Sequence, residues 1–355
     1  MSVPTDTTPS DTGLGRWTRL LGRWEVLILG ALLGLIVLGN ALSPFFLTAN
    51  NFSNLLAALM EVAIMAMPMT LIVILAEIDL SVESMAGLSS ALLGFLWAAG
   101  VPLPVGIILV LVVGLLGGVL NGTLVARFGL PSLVVTLGTL ALFRGLALIV
   151  LGPRGVSDFP ESFTTLGFGH VPGTLIPWPS VVFLGLALVL GIVLHRTWIG
   201  RQIYAIGKNP GAARYTGVRV ARLRIALFAL SGMVAALAGI ILTSRLSSAR
   251  ADAGQGMTLT VVTVVFLGGV NIFGGSGTIP GVVLAVLTVA VMQNALRLAN
   301  VTVEVQSIAL GSLLILSVVI PNAAHQAKSA VDRARRGRHP PADSIQPGEQ
   351  TPAAN

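Results

Sequence analysis

Apolar stretches of about 20 residues recur along the chain, and each is long enough to cross the roughly 30 Å hydrocarbon core of a bilayer as a helix. Only 10% of the 355 residues are charged, while 54% are apolar. Soluble domains carry about 25% charged residues, so too few charges remain here to cover a water-facing surface. The sequence therefore predicts an all-α polytopic membrane protein.

The pattern predicts about ten transmembrane helices, separated by short polar or glycine-containing segments. They lie near residues 24–43, 53–75, 84–100, 103–126, 130–151, 178–195, 225–243, 257–273, 278–298 and 303–320. The region 53–100 is the hardest to divide, because Glu77, Asp79 and Glu83 lie within it. Pro68 predicts a kink in the second span.

Lysine and arginine indicate the orientation. The segment 196–224 contains seven basic residues and no acidic residue, which is typical of a cytoplasmic loop. Both ends of the chain are also basic, so we expect both termini in the cytoplasm and an even number of spans. We predict disordered tails at 1–23 and 321–355 around a membrane domain at 24–320. The first apolar run is longer than a signal peptide needs, and we interpret it as an uncleaved span.

Catalytic and metal-binding patterns are missing from the sequence. There is no cysteine, and the four histidines have no metal-ligand spacing. Gly207 and Lys208 superficially resemble a phosphate-binding loop, but that motif requires glycine at 202 and serine or threonine at 209. The chain has Gln202 and Asn209 there, so we predict no catalytic residue, no metal ligand and no cofactor bound by this chain. The basic residues cluster in connecting segments, which does not favour nucleic acid as a partner.

Two glycine-rich stretches, 116–122 and 267–277, each precede a further hydrophobic segment. They are the trace of an internal duplication, as in many transporters, or a coincidence in a chain with 41 glycines. The residues alone leave both interpretations open.

The basic loop is the most specific feature of the sequence. Asn209 is suited to cap a short helix, Pro210 to occupy its first turn and Gly217 to end it. A short basic helix at the cytoplasmic surface is typical of a docking element for a partner. The alternative is a solvated connector with ordinary positive charge.

This loop resembles the permease subunits of bacterial ATP-binding cassette (ABC) importers for sugars and related solutes. The resemblance covers about residues 50–320. The matching loop positions are Gly200, Arg201, Tyr204, Ala205, Gly207, Asn209, Ala212, Ala213, Gly217 and Val218. Further matches are Ile78 to Val82, Pro131, Val135 to Thr139, Arg144 with Gly145, and Leu267 to Gly269. Segments 247–250 and 274–279 are most similar to rhamnose and autoinducer-2 import permeases.

The resemblance implies an ABC importer permease fold and a division of labour between subunits. Two cytoplasmic ATPase subunits would use ATP and magnesium, a second permease chain would complete the path, and an extracytoplasmic binding protein would deliver the solute. The implied ATPase-coupling residues are Gly200, Arg201, Gly207, Asn209, Ala212, Ala213 and Gly217. The candidate translocation path comprises Asp79, Asn121, Thr136, Thr139, Arg144, Asn271 and Asn294.

This chain departs from the family pattern beside Asp79. Glu77 and Glu83 stand where relatives usually have glycine, so two additional acids lie near Asp79. A proton-coupled secondary carrier and a structural membrane scaffold remain as alternatives to the importer. The carrier would be expected to bury several acidic residues in its spans, and Glu61 is the one acid well inside a clear span.

Overall fold

The computed structural model describes residues 24–336, which form fourteen helices and no strand. These helices are α1 (Trp24–Leu42), α2 (Ala49–Ala58), α3 (Met60–Ile74), α4 (Val82–Ala98), α5 (Leu103–Arg127), α6 (Ser132–Leu151), α7 (Glu161–Phe168), α8 (Trp178–Arg196), α9 (Trp198–Lys208), α10 (Pro210–Tyr215), α11 (Val220–Leu246), α12 (Met257–Leu267), α13 (Ile279–Leu298) and α14 (Val303–Arg336). The all-helical membrane fold is confirmed.

Seven of these helices are long and apolar enough to cross a membrane: α1, α5, α6, α8, α11, α13 and α14. Helices α2 and α3 together form an eighth span that bends by 44°. The remaining two predicted spans correspond to shorter apolar helices, α4 with 17 residues and α12 with 11. The described residues therefore contain seven or eight full spans, and the count of ten is not confirmed.

Contacts show which helix ends share a side of the bundle. Helix α9 packs against the end of α3, where a Cβ on Gly207 would overlap the Ile74 carbonyl. The start of α1 lies beside the end of α12, since the Trp24 indole donates to the Leu267 carbonyl at 2.7 Å. We name this side, which carries α9 and α10, the basic face. The ends of α4 and α11 and the segment 152–177 form the opposite face.

Small residues bring α5 and α11 into close contact. Gly114, Gly118 and Gly122 lie one turn apart on α5 and face α11, where Gly232 lies against Gly114 and Gly118. A Cβ on Gly118 would overlap the Phe228 carbonyl. Such close approach gains dispersion contacts where lipid supplies no hydrophobic driving force between helices. The glycines of α5 and α11 therefore allow these two helices to pack closely.

Helix α3 is the centre of the bundle. Every one of its residues from Met60 to Ile74 is buried, including Glu61 and Pro68. A helix that is apolar all round and has no lipid-facing side must be enclosed by other helices. By contrast, α1 and α14 are mostly exposed along their apolar lengths, as expected of helices that face lipid.

The ends of the chain differ from the sequence prediction in one respect. Helix α14 continues to Arg336, past residue 320 where we placed the end of the membrane domain. The predicted N-terminal tail 1–23 and residues 337–355 lie outside the described residues.

The α5–α11 contact gives a first prediction. Gly118→Leu would force the two backbones apart and lower the free energy of unfolding by about 1–3 kcal/mol or more. Gly138→Leu is the matched control, because a Cβ there meets nothing within 4 Å. Thermal unfolding of the purified protein in detergent measures both. Equal melting temperatures for the two variants would contradict the packing described here.

Candidate functional site at the junction of two short helices

The two short helices begin next to each other inside the bundle. The Glu83 carboxylate, in the first turn of α4, accepts a hydrogen bond at 2.9 Å from the Thr258 amide in the first turn of α12. The Thr258 hydroxyl donates to the Leu80 carbonyl at 3.4 Å. Helices broken inside a membrane protein place backbone ends where they line a cavity or contact protein rather than lipid. We name this meeting point the junction.

Asp79 lies in the turn that leads into the junction and is almost completely buried. One of its oxygens accepts from the Ser81 amide at 3.0 Å and the Ser81 hydroxyl at 2.6 Å. The other accepts from the Ser231 hydroxyl of α11 at 2.8 Å. Asn121 of α5 donates to the Ser81 hydroxyl at 2.9 Å. The carboxylate is therefore satisfied by neutral donors, because no cation of the described chain forms an ion pair with it.

Arg144 of α6 closes the other side of the junction. One guanidinium nitrogen donates to the Ala251 carbonyl at 2.8 Å, and another lies 3.7 Å from the Glu83 carboxylate. The second nitrogen is buried without a hydrogen-bond partner within residues 24–336. Arg144 thus ties the segment 247–256, which leads into α12, to the start of α4.

Two further buried acids, Glu77 close to the junction and Glu61 in the first turn of α3, are also paired with arginines, both from α11. Glu77 lies 2.9 Å from Arg224 near the start of that helix. Glu61 accepts a hydrogen bond at 2.7 Å from Arg245 near its end. Pairing offsets the cost of taking these charges out of water. The unusual acids Glu77 and Glu83 therefore each have a cationic partner from another helix.

The predicted path residues divide into two groups. Asp79, Asn121 and Arg144 come together around the junction, and Thr136 donates to the Ile78 carbonyl beside Asp79 at 3.3 Å. Among the residues that the structure describes, Thr139 bonds to carbonyls of its own helix alone.

Asn271 and Asn294 lie elsewhere in the molecule. Asn271 is in the turn 268–278 on the basic face, where it bonds to Phe273. Asn294 forms a reciprocal pair of amide hydrogen bonds with Asn51, both at 2.9 Å. The structure therefore does not bring these two residues to the junction.

Two of the three predicted coupling glycines, Gly200 and Gly207, lie at close helix contacts. A Cβ on Gly200 would overlap the Leu194 carbonyl at the turn from α8 into α9. Gly207 lies against Ile74 and Gly275, and the Tyr204 hydroxyl donates to the Gly277 carbonyl at 2.7 Å. Asn209 caps α10 by accepting from the Ala212 amide at 3.0 Å, as the sequence predicts. The loop is thus docked on the bundle.

The outer side of the same loop is exposed. Arg201, Ala212 and Gly217 face solvent, Gly217 with a positive φ of 81°, while Ala213 is buried. Tyr215 is 96% exposed. An ordered surface with an exposed aromatic side chain and several cations is suited to binding a partner.

Sequence reasoning missed several residues of the junction. Ser231, Ser132 and Thr258 are hydroxyl residues in apolar helices, and no local pattern distinguishes them from the other serines and threonines of those helices. Ser132 accepts a hydrogen bond from the Ile78 amide at 3.1 Å and so holds the turn before Asp79. The additional acids Glu77 and Glu83 were the feature of the sequence that could have indicated this site, because buried acids require partners.

Asp252 and Tyr204, which lie outside the candidate spans, have displaced pKa values. Hydrogen bonds from Arg250 lower the pKa of Asp252 below its ordinary value, and burial raises the pKa of Tyr204. Both groups are in their ordinary charge states at neutral pH, Asp252 ionised and Tyr204 neutral. No group of three histidine, aspartate or glutamate side chains within residues 24–336 has an arrangement that would hold a metal ion.

The two arginines near the opposite face give a second prediction. Arg245→Gln leaves the Glu61 carboxylate, 1% exposed, buried without its cation, and the free energy of unfolding should fall by about 3–5 kcal/mol. Arg250→Gln removes an arginine from an exposed pair with Asp252 and should leave the melting temperature unchanged. Thermal unfolding in detergent measures both, and a small effect of Arg245→Gln would show that the buried pair is dispensable.

Comparison with known proteins gives the chain a family. The family described as "Branched-chain amino acid transport system / permease component" matches residues 51–318. The autoinducer 2 import system permease proteins LsrD of Escherichia coli K12 and Shigella flexneri are each 38% identical over 302 residues. The matched region covers 83% of this chain and 91% of each relative. No solved structure matches the chain.

The matched residues include the junction and the whole of the α9–α10 loop, and they extend over more than half of the chain. The chain therefore belongs to this family of permeases and is the multi-pass membrane transport subunit of an ABC importer.

Proposed function

We propose that this chain carries a monosaccharide or related small polar solute into a bacterial cell, and that this solute is a rhamnose-like sugar or autoinducer 2. ATP hydrolysis would take place in two separate ATPase subunits that bind the basic face. The observation that carries this proposal is the arrangement of α9. Its inner side contacts the end of the buried helix α3, while the surface it shares with α10 is open to a partner.

The basic face supplies the orientation. Loops rich in lysine and arginine remain in the cytoplasm, so the exposed cations Arg201, Lys208 and Arg214 support a cytoplasmic position of α9 and α10. Both termini would then be cytoplasmic in the plasma membrane. The opposite face would receive solute from an extracytoplasmic binding protein. A second permease chain, identical or related, would complete the translocation path.

The coupling residues have two roles in this proposal. Gly200 and Gly207 allow α9 to pack closely, and Ala213 anchors α10 to the bundle. Arg201, Ala212 and the turn at Gly217 would contact the ATPase directly, with Asn209 holding α10 in shape. Movement of a bound ATPase would pass to α3 through the contact of Gly207 with Ile74.

The chemistry of the junction favours a polyhydroxylated solute. Ser81, Asn121 and Ser231 carry hydroxyl and amide groups of the kind that both donate and accept hydrogen bonds, and in this state they are buried in the network around Asp79. The nearby charges Glu83 and Arg144 face each other, so little net charge is available to attract an ionic solute. The names of the LsrD relatives refer to autoinducer 2, whereas the family description refers to branched-chain amino acids. Such amino acids require an apolar pocket for their side chains, which these polar residues do not provide.

A proton-coupled carrier is not favoured by the acids of this region. Glu61, Glu77 and Glu83 are each paired with an arginine from another helix. An acid that carries protons must be able to lose its charge without leaving a buried cation unpaired. Asp79 is the one acid of the four without such a partner in the described chain.

The third prediction is tested by reconstitution in proteoliposomes, with and without candidate ATPase and binding-protein subunits. Uptake of rhamnose or autoinducer 2 should require all three components and ATP. Ala212→Asp, on the exposed side of α10, should abolish co-purification of the ATPase while insertion and melting temperature stay unchanged. Phe168→Asp is the matched control, because Phe168 is 60% exposed on the opposite face. Uptake by this chain alone without ATP would overturn the proposal.

A further inference from the structure

We infer that the ion pair between Glu77 and Arg224 is a positioning element. It joins the α9–α10 surface to the Asp79 turn, so that the two move as one body. This inference rests on the proposed function and concerns how docking at the basic face reaches the junction. The two partners belong to different parts of the chain, the turn after α3 and the start of α11.

Both partners lie a few residues from contacts with the α9–α10 surface. On one side, the Ile74 carbonyl accepts a hydrogen bond from the Gly275 amide at 2.8 Å and lies against Gly207 of α9. Glu77 follows Ile74 by three residues. On the other side, α10 ends at Tyr215 and α11 begins at Val220, so Arg224 lies near the start of the next helix. A displacement of α9 and α10 therefore acts on both ends of the pair.

The pair itself is short and shielded from water. The Arg224 guanidinium lies 2.9 Å from the Glu77 carboxylate, and the side chains are 17% and 10% exposed. At such burial an ion pair is held by more than the weak attraction of exposed charges. The Arg224 Nε itself has no hydrogen-bond partner within the described residues. Loss of Glu77 would leave this arginine without its counter-charge.

A second contact extends the connection to the junction. Ser231 lies seven residues after Arg224, two turns further along the same side of α11. It donates to Asp79, which lies two residues after Glu77. The turn 75–81 therefore runs alongside α11 in the same direction. It contacts α11 twice, through Glu77 with Arg224 and, further along both segments, through Asp79 with Ser231. The ion pair is the contact nearer the basic face, so it fixes the position from which Asp79 and Ser81 extend into the junction.

A purely structural ion pair would stabilise the fold without affecting how ATP use is linked to transport. A positioning element makes a different prediction, because each state of the transporter needs its own set of contacts to respond to the nucleotide. Without the pair, the α9–α10 surface would still bind the ATPase, but its displacement would no longer move the Asp79 turn. The measured quantity is therefore the amount of solute imported per ATP hydrolysed.

The fourth prediction compares Glu77→Gln, Arg224→Gln and the exchanged double variant Glu77→Arg with Arg224→Glu. All are assayed in the reconstituted transporter with its ATPase and binding protein. Each single variant should keep ATPase co-purification and hydrolysis but lose about tenfold in solute imported per ATP, a change typical of coupling between sites. The double variant should regain most of that ratio, because it restores an oppositely charged pair.

Arg222→Gln is the matched control. It removes the same charge from the same helix two residues earlier, where the side chain is exposed, and should leave the ratio unchanged. An unchanged ratio in folded Glu77→Gln and Arg224→Gln would overturn the inference. So would a double variant that folds but stays as uncoupled as the singles. If the single variants fail to fold, the double variant and Glu77→Asp, which keeps the charge on a shorter arm, still decide the matter.

The wild-type transporter separates this inference from the proposed function. ATP-dependent uptake by the wild type, together with unchanged ratios in the variants, would reject the ion pair as a positioning element and leave the importer intact. Absence of ATP-dependent uptake by the wild type in any subunit combination would reject the proposed function itself.

Discussion

The buried carboxylate of Asp79 imposes the constraint on which the centre of the molecule depends. A charge so deep in an apolar bundle must be satisfied by hydrogen bonds or paired with a cation. Here the Ser81 amide and two hydroxyls satisfy it. These donors come from the turn before α4 and from α11, so satisfying one side chain fixes the relative position of two helices. Asn121 adds α5 to the same network.

The other buried charges extend this arrangement outward. Arg224 and Arg245 lie near the two ends of α11 and pair with acids near the two ends of α3, Glu77 just after its last turn and Glu61 in its first turn. Arg144 and Glu83 link α6 to the start of α4, and Glu83 also caps α12. Polar contacts thus hold α11 to α3 and to the turn 75–81 along its length. Its other side packs against the glycines of α5. Rigid packing on one side and specific polar contacts on the other suit a helix that transmits movement between two faces of a membrane.

Much of this could be predicted from the sequence, where the cues are local. Apolar stretches predict the membrane fold, and the basic segment 196–224 predicts the loop in which α9 and α10 lie. Asn209 was identified as a helix cap from its neighbours alone, and the structure shows that hydrogen bond. The partners of Glu77 and Glu83 could not be found this way, because Arg224 and Arg144 are far away along the chain. Asn271 and Asn294 resemble path residues in sequence, yet they lie at the two opposite ends of the bundle. The length of α12 was overestimated, because the span predicted at 257–273 is helical only from Met257 to Leu267 and hydropathy does not show where a helix breaks inside a bundle.

We propose that the junction lies on the translocation path and that the nucleotide state of the ATPase controls access to it. The chain has no cysteine, so Thr258→Cys places a single thiol at the junction, where Thr258 is 9% exposed. Leu137→Cys, on the exposed apolar side of α6, is the control that should remain unlabelled in lipid. Labelling by a water-soluble thiol reagent is measured in the assembled transporter, nucleotide-free and with trapped nucleotide. We expect the rate of thiol labelling at Thr258→Cys to change about tenfold or more between the two states. Equal labelling rates in both states would contradict nucleotide-controlled access to the junction.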